Sequence, residues 1–291
     1  MSILAFKKNK VLIQGITGTA ARHHTENMLA YGTSIVAGTR PGSGGQEVAG
    51  VPVYDTVAQA CAEHEIEASI LFIPARAVKA SALEALEAGI KLLVIVSEHV
   101  PLHDAMRIME EKEKRNAVIV GPNTPGLISP PEKTVLGFVP TSHFRPGRVG
   151  VASRSGTLTY ELVSRLTFFG LGQSTVIGVG GDRLVGLRFA EALVRFQEDP
   201  DTDAVLLVGE IGGTMEEEAA ELVGSGRISK PVVAYLAGQT APEGTKMGHA
   251  GAIVDGGRGR MKSKIQALEE AGVQVADQPA MAIDMIRAGL E

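Results

Sequence analysis

At 291 residues, 44% of them hydrophobic, the chain is long enough to bury the cores of two domains of ordinary size. A net charge of -5 with dispersed basic residues excludes a surface built to coat nucleic acid, so a phosphate-bearing ligand has to be gripped locally. The single cysteine, Cys61, excludes an internal disulfide and a thiol-rich zinc site, and no metal ligands are assigned. No apolar run approaches membrane-spanning length, and Met1–Lys8 is too short in apolar residues for a signal peptide, so a cytoplasmic location away from membranes is expected. With 35 glycines, no tryptophan and 4% aromatics, the core has to be aliphatic, which suits buried parallel strands under alanine-rich helices.

Lys10–Gln14 reads as a buried strand, followed by the turn Gly15-Ile16-Thr17-Gly18-Thr19-Ala20-Ala21 and a helix through Tyr31. Strand, glycine turn and helix is the geometry that points free N–H groups at a phosphate, although a plain tight turn gives the same pattern. A strand at Ser34–Gly38 and a second glycine loop, Thr39–Gly45, follow. A helix over 56–64, a strand over 68–73, a helix over 78–88 and a strand over 92–96 complete a β-α alternation. Such alternation with near-continuous apolar strands predicts a doubly wound parallel sheet, Rossmann-like, with its ligand at the strand carboxyl ends. Those ends are Thr17–Ala20, Thr39–Gly45, Ile73-Pro74 and Ser97-Glu98.

Prolines 122, 125, 130, 131, 140 and 146 mark a crossing, in which helices and regular strands are expected to be scarce. Domains are accordingly drawn at 1–122 and 147–291, with 123–146 between them. Val149–Leu162 is again strand, small polar turn and helix. Ser153, Ser155 and Thr157 are cap-type residues and Gly156 permits close approach, so this helix start is a second anion site. A hydrolase elbow at Ser155 is disfavoured, because that motif needs glycine where Ser153 stands.

Further strands over 174–178, 204–208 and 231–236, with helices over 186–197, 215–223 and 261–271, predict a second parallel α/β domain, flavodoxin-like. Glu216, Glu217, Glu218 and Glu221 read as a solvated helix face. Gly209-Glu210-Ile211-Gly212-Gly213 and Gly248-His249-Ala250-Gly251 each follow a strand, which brings Glu210 and His249 to the carboxyl edge near the Ser155 turn. An imidazole is a competent nucleophile toward phosphorus near neutral pH, provided a partner such as Glu210 fixes its tautomer.

Lys246-Met247-Gly248-His249-Ala250-Gly251-Ala252-Ile253 and Gly209–Gly213 resemble the phosphohistidine segment and its glutamate in the α subunit of succinyl-CoA synthetase, and the likeness runs essentially the whole chain. The resemblance implies that His249 and Glu210 are catalytic. It places coenzyme A at Thr17, Gly18, Thr19, Ala20, Ser43, Val96, Ser97 and Glu98, with Arg40, Ile73, Pro74 and Asn123 beside them. Ser155, Gly156 and Thr157 would contact phosphate, and Tyr160 and Arg183 the acid substrate. Several positions depart from the family pattern. Ser43 stands where the family has lysine in Pro-Gly-Lys-Gly-Gly, and Arg40 is offered as the replacement cation. Ser97-Glu98-His99 replaces Thr-Glu-Gly, Thr124 replaces a cysteine, and Arg183 replaces a proline.

The implied reaction is a reversible, nucleotide-driven acid–CoA ligation through an acyl phosphate, with phosphohistidine at His249 as the covalent intermediate. ATP or GTP with magnesium would sit on a partner β subunit, in an αβ or α2β2 assembly, since this chain has no Walker motif. Succinate is the first expectation for the acid. Arg183, Thr124 and Arg76 resemble ATP-citrate lyase and citryl-CoA synthetase, which keeps citrate or malate open. A non-catalytic CoA-binding module is the alternative from another class.

Overall fold

The structure, a computed structural model, describes residues 2–238, 248–254 and 259–290. Of the motif residues, Lys246 and Met247 lie outside the described residues. The first half contains β1 (Val11–Gln14), α1 (Thr19–Tyr31), β2 (Ile35–Thr39), β3 (Glu47–Val48), β4 (Val51–Tyr54), α2 (Val57–Glu63), β5 (Ala68–Leu71), α3 (Ala75–Glu87), β6 (Leu92–Ile95), α4 (Leu102–Lys114) and β7 (Val118–Val120). Its strands lie in the order β3-β4-β2-β1-β5-β6-β7, parallel except for the β3–β4 hairpin. Every residue of β1, β5 and β6 is buried, because helices cover both faces, and the two polar side chains among them meet: Gln14 Nε2 donates to Ser69 Oγ at 3.0 Å. The hairpin and α4 are additions to the alternation expected from the sequence.

The second half contains β8 (Gly126–Ser129), β9 (Thr134–Gly137), β10 (Pro146–Ser153), α5 (Gly156–Phe168), β11 (Gln173–Gly178), α6 (Phe189–Glu198), β12 (Ala204–Glu210), α7 (Met215–Gly224), β13 (Val232–Ala237), α8 (Met261–Glu270), β14 (Gln274–Ala276) and α9 (Pro279–Leu290). The order is β14-β13-β12-β10-β11-β8-β9, parallel from β14 to β11, with β8 and β9 added antiparallel at the edge. The crossing segment is therefore more regular than its prolines suggested. Pro125, Pro130 and Pro131 flank β8 without interrupting it, so they punctuate the hairpin and leave its ladder intact. Phe189 and Phe196 of α6 are wholly buried, and the Phe196 ring lies directly over Gly150 of β10.

One reading of α7 is corrected. Glu221 is exposed, but Glu216 is buried to 1% exposure and Glu217 and Glu218 are half-buried. The cause is charge: Arg154 and Lys264 converge beneath the first turn of α7, and an ion pair turns the Glu216 carboxylate inward where helical spacing alone would leave it in water.

Candidate active site

In each sheet the chain leaves a central strand in one direction and later returns to its other side, which opens a crevice at the carboxyl edge. In the first sheet the crevice lies between β1 and β5, and in the second between β10 and β12. Arg154 follows β10 and Glu210 closes β12, so topology alone sets them facing each other. His249 comes from the loop after β13.

The His249 Nδ1 atom is 2.9 Å from Glu210 Oε2 and 3.1 Å from Oε1. Behind the carboxylate, one Arg154 amino group is 3.3 Å from Glu210 Oε1. The other donates to the carbonyls of Glu210 and Gly212 at 3.0 and 2.9 Å. Glu210 is 6% exposed and Arg154 4%, while the imidazole side chain keeps 31% of its surface open. The ring lies flat against Gly181: a Cβ there would sit 2.7 Å from His249 Cγ, so only glycine leaves room for it. With Nδ1 occupied, Nε2 is the nitrogen left to attack, and it has no partner among the described residues. The Glu210 hydrogen bond raises the His249 pKa above its ordinary value, with burial opposing and the Glu210 charge assisting.

The three phosphate candidates stand at the start of α5, immediately after Arg154. Ser155 caps the helix, its Oγ accepting the Leu158 N–H at 3.4 Å, and Ser153 Oγ accepts the Ser155 N–H at 3.1 Å. Gly156 and Thr157 open the helix, where backbone N–H groups have no intrahelical acceptor and favour an anion. Tyr160 has a buried hydroxyl without a hydrogen-bond partner among the described residues, and burial raises its pKa. A buried donor left open in this way is what an incoming carboxylate or partner chain would satisfy.

The coenzyme A candidates divide into two groups. Thr17, Gly18, Thr19 and Ala20 lead into α1, whose first turn has no side-chain cap, so its N–H groups are free for a phosphate. Ser97 Oγ donates to the Ile73 carbonyl, which joins Ile73, Pro74, Val96, Ser97 and Glu98 into one wall across the crevice. The second loop is different. The N–H groups of Ser43 and Gly44 donate to Asp55 Oδ1 at 3.0 and 2.9 Å, so those amides are already committed to a carboxylate. The exposed Arg40 side chain remains as that loop's cation.

Asn123 connects the two crevices. Its N–H donates to the Ser97 carbonyl at 2.9 Å, its carbonyl accepts the Gly181 N–H at 3.0 Å, and its Nδ2 donates to Asp182 Oδ1 at 3.3 Å. Thr124 is 2% exposed; its hydroxyl donates to the Gly178 carbonyl and accepts the Gly126 N–H at 2.9 Å, so it locks the turn. Arg183 makes no ion pair among the described residues. Its Nε donates to the Ala250 carbonyl at 3.4 Å, and it lines a cavity of ≈380 Å³ with Asp182, Arg188 and Gly251. Arg154 went unnoticed in the sequence. The available signal was an arginine at a helix N-terminus, where the dipole repels a cation and a buried carboxylate must hold it.

Residues 6–99 match the CoA binding domain family, and residues 152–274 match the CoA-ligase family. A succinate–CoA ligase (ADP-forming) subunit alpha 2 of Archaeoglobus fulgidus is 51% identical over 286 residues, covering 98% of this chain and 99% of its own length. This chain belongs to the succinate–CoA ligase α-subunit family. Within that family group, an ADP-forming sulfoacetate–CoA ligase subunit of Acholeplasma is 47% identical, covering 96% of this chain and 95% of its own. Among solved structures, an ATP citrate lyase of Methanosaeta concilii in complex with (3S)-citryl-CoA superposes with a TM-score of 0.90 at 22% identity. That likeness covers 99% of this chain and shows the fold; the chain spans about half, 50%, of the lyase. Among the described residues of this α-subunit relative, no helix is long and apolar enough to cross a membrane and no three metal-ligating side chains cluster.

Proposed function

We propose that the chain is the α subunit of a nucleoside-triphosphate-dependent acid–CoA ligase, with succinate as the acid and His249 as the phosphoryl carrier. The observation that carries this reading is the Nδ1 contact of His249 with both Glu210 oxygens, backed by buried Arg154. A ring held in that way keeps its proton on Nδ1 and presents the Nε2 lone pair. Nε2 attacks the terminal phosphorus of the nucleotide; the N–P bond forms as the bond to the diphosphate oxygen breaks. A carboxylate oxygen of the acid then takes the phosphoryl group from Nε2. The CoA sulfur displaces phosphate from the acyl carbon, leaving the thioester. Glu210 compensates the positive charge that the ring carries while phosphorylated, and the start of α5 faces the phosphoryl oxygens.

Residues 1–122 are assigned to coenzyme A, 147–291 to phosphoryl transfer, and 123–146 to the crossing, whose hairpin packs on the second sheet. The nucleotide and its magnesium are assigned to a β subunit, in an αβ pair or its dimer, because the relatives are named as α subunits. A cytoplasmic location is part of this reading. One observation favours a second acid. Arg183, without an ion pair among the described residues and lining the cavity with Asp182 and Gly251, suits a substrate with a further carboxylate such as citrate or malate.

The test is the intact mass of the chain, co-purified with its partner and incubated with magnesium and ATP, with and without CoA plus succinate or citrate. One acid-labile phosphoryl group, absent in His249→Ala and discharged only with one acid, would establish the reaction and its substrate. CoA binding without phosphoryl uptake would overturn the reading in favour of a CoA-binding module.

A further inference from the structure

Beneath Glu210 lies a second carboxylate that the reaction does not touch. Glu216 Oε1 accepts from Arg154 at 3.0 Å and from the Glu210 N–H at 3.1 Å. Its Oε2 is 2.5 Å from Lys264 Nζ, which also donates to the Gly213 carbonyl at 3.0 Å and pairs with Glu217 at 2.8 Å. The side chains of Arg154, Glu216 and Lys264 are 2%, 1% and 0% exposed. The position is built for this carboxylate: a Cβ on Gly209 would lie 2.6 Å from Glu216 Oε1. Arg154 therefore faces two carboxylates and gives its shorter side-chain contact, 3.0 Å against 3.3 Å, to the one that does not touch the histidine.

We infer that Glu216 is a positioning residue for phosphoryl transfer: by holding Arg154 Nη1 it keeps the Nη1–Nη2 edge of the guanidinium from turning onto Glu210, so that Glu210 keeps a single Nη2 contact and its carboxylate is left to the His249 ring. The inference rests on His249 being the phosphoryl carrier. A guanidinium free to turn its Nη1–Nη2 edge onto a carboxylate closes two parallel hydrogen bonds, which would turn Glu210 away from Nδ1. Lys264 acts on the same balance from the other side, since it draws Glu216 toward α8 and limits its hold on Arg154. The charged groups facing the imidazole are Glu210 from β12, Arg154 from the β10 turn and Asp182 from the loop after β11. Burial would raise the Glu216 pKa, but the Arg154 and Lys264 charges outweigh it and hold the group ionised.

The experiment is the pH titration of the His249 ring by nitrogen-15 NMR in the complex with the partner subunit, alongside the acid limb of His249 phosphorylation, each rate normalised to its plateau. Glu216→Gln, which keeps an oxygen acceptor, should lower the midpoint by about half a unit or more as Arg154 turns to Glu210. Lys264→Met should raise it, because Glu216 then takes more of Arg154. Opposite shifts support the inference. Shifts of the same sign, or none, overturn it, since loosening of the loop moves both variants alike. Should Glu216→Gln fail to fold, the Lys264→Met midpoint decides alone: a rise supports the inference and no rise overturns it. Absence of phosphate on wild-type His249 would sink the functional reading instead, a result the ring titration distinguishes because it needs no turnover.

Discussion

Replacing Gly181 with alanine tests the placement of the imidazole directly. The new Cβ would lie 2.7 Å from His249 Cγ and 2.8 Å from Nδ1. Carbon atoms rest at about 3.5–4.0 Å, so the ring has to retreat by about 1 Å. The bond from Nδ1 to Glu210, now 2.9 Å, would stretch past the limit of a hydrogen bond at about 3.6 Å. A displacement of that size at a reacting atom costs on the order of 100-fold in rate, about 2.7 kcal/mol of barrier. Stability should hardly change. Gly181 does not adopt a left-handed φ, so alanine fits its backbone, and the ring is open enough to move outward. The assay is single-turnover phosphorylation of the chain in its partner complex, with urea unfolding as the control. A rate within threefold of wild type in a folded variant would refute the proposed seating of His249.

Three further outcomes follow from the same geometry. On the proposed mechanism the neutral ring is the nucleophile, so phosphorylation should climb as pH rises through a His249 pKa raised above 6.5; Glu210→Gln should move that limb downward while lowering the plateau, and an unmoved limb would contradict the hydrogen bond. The same raised pKa makes the His249–Glu210 contact stabilising below the unfolded value and lost as pH rises through the folded one. Arg40→Ala should raise the KM for CoA several-fold with kcat unchanged, because the amides of its loop are spent on Asp55; an unaltered KM ends that assignment. Phe196→Ala, which empties a wholly buried site over Gly150, should cost about 3–5 kcal/mol in urea unfolding, and a loss below 1 kcal/mol would show that α6 packs otherwise.

The legible parts of this molecule are those whose causes are local. Val11–Ile13 and Ala204–Val208 declare themselves as strands because burial on both faces leaves an uninterrupted apolar run, and the expected helices agree with the observed ones to within a few residues. The His249 and Glu210 motifs are readable because each follows such a strand. What escaped notice depends on partners far along the chain. Glu216 has helical spacing that suits solvent, and only Arg154, 62 residues earlier, and Lys264, 48 later, make its burial favourable. The β8–β9 hairpin was hidden by prolines that bound it, since a proline signals interruption without saying where pairing resumes.

Both crevices obey one topological rule, yet the rule leaves their separation free, and the proposed reaction requires the acyl phosphate to form where the thiol can arrive. Asn123 closes that gap with main-chain bonds: its N–H holds the Ser97 wall and its carbonyl holds Gly181, the floor of the imidazole. Main-chain registry of this kind does not depend on which side chain follows, so the side chain at the next position can serve the turn. The Thr124 hydroxyl is consumed by Gly178 and Gly126 in holding that turn. Thr124 contributes geometry to the site, and under the proposed reaction the reacting sulfur is the one that coenzyme A brings.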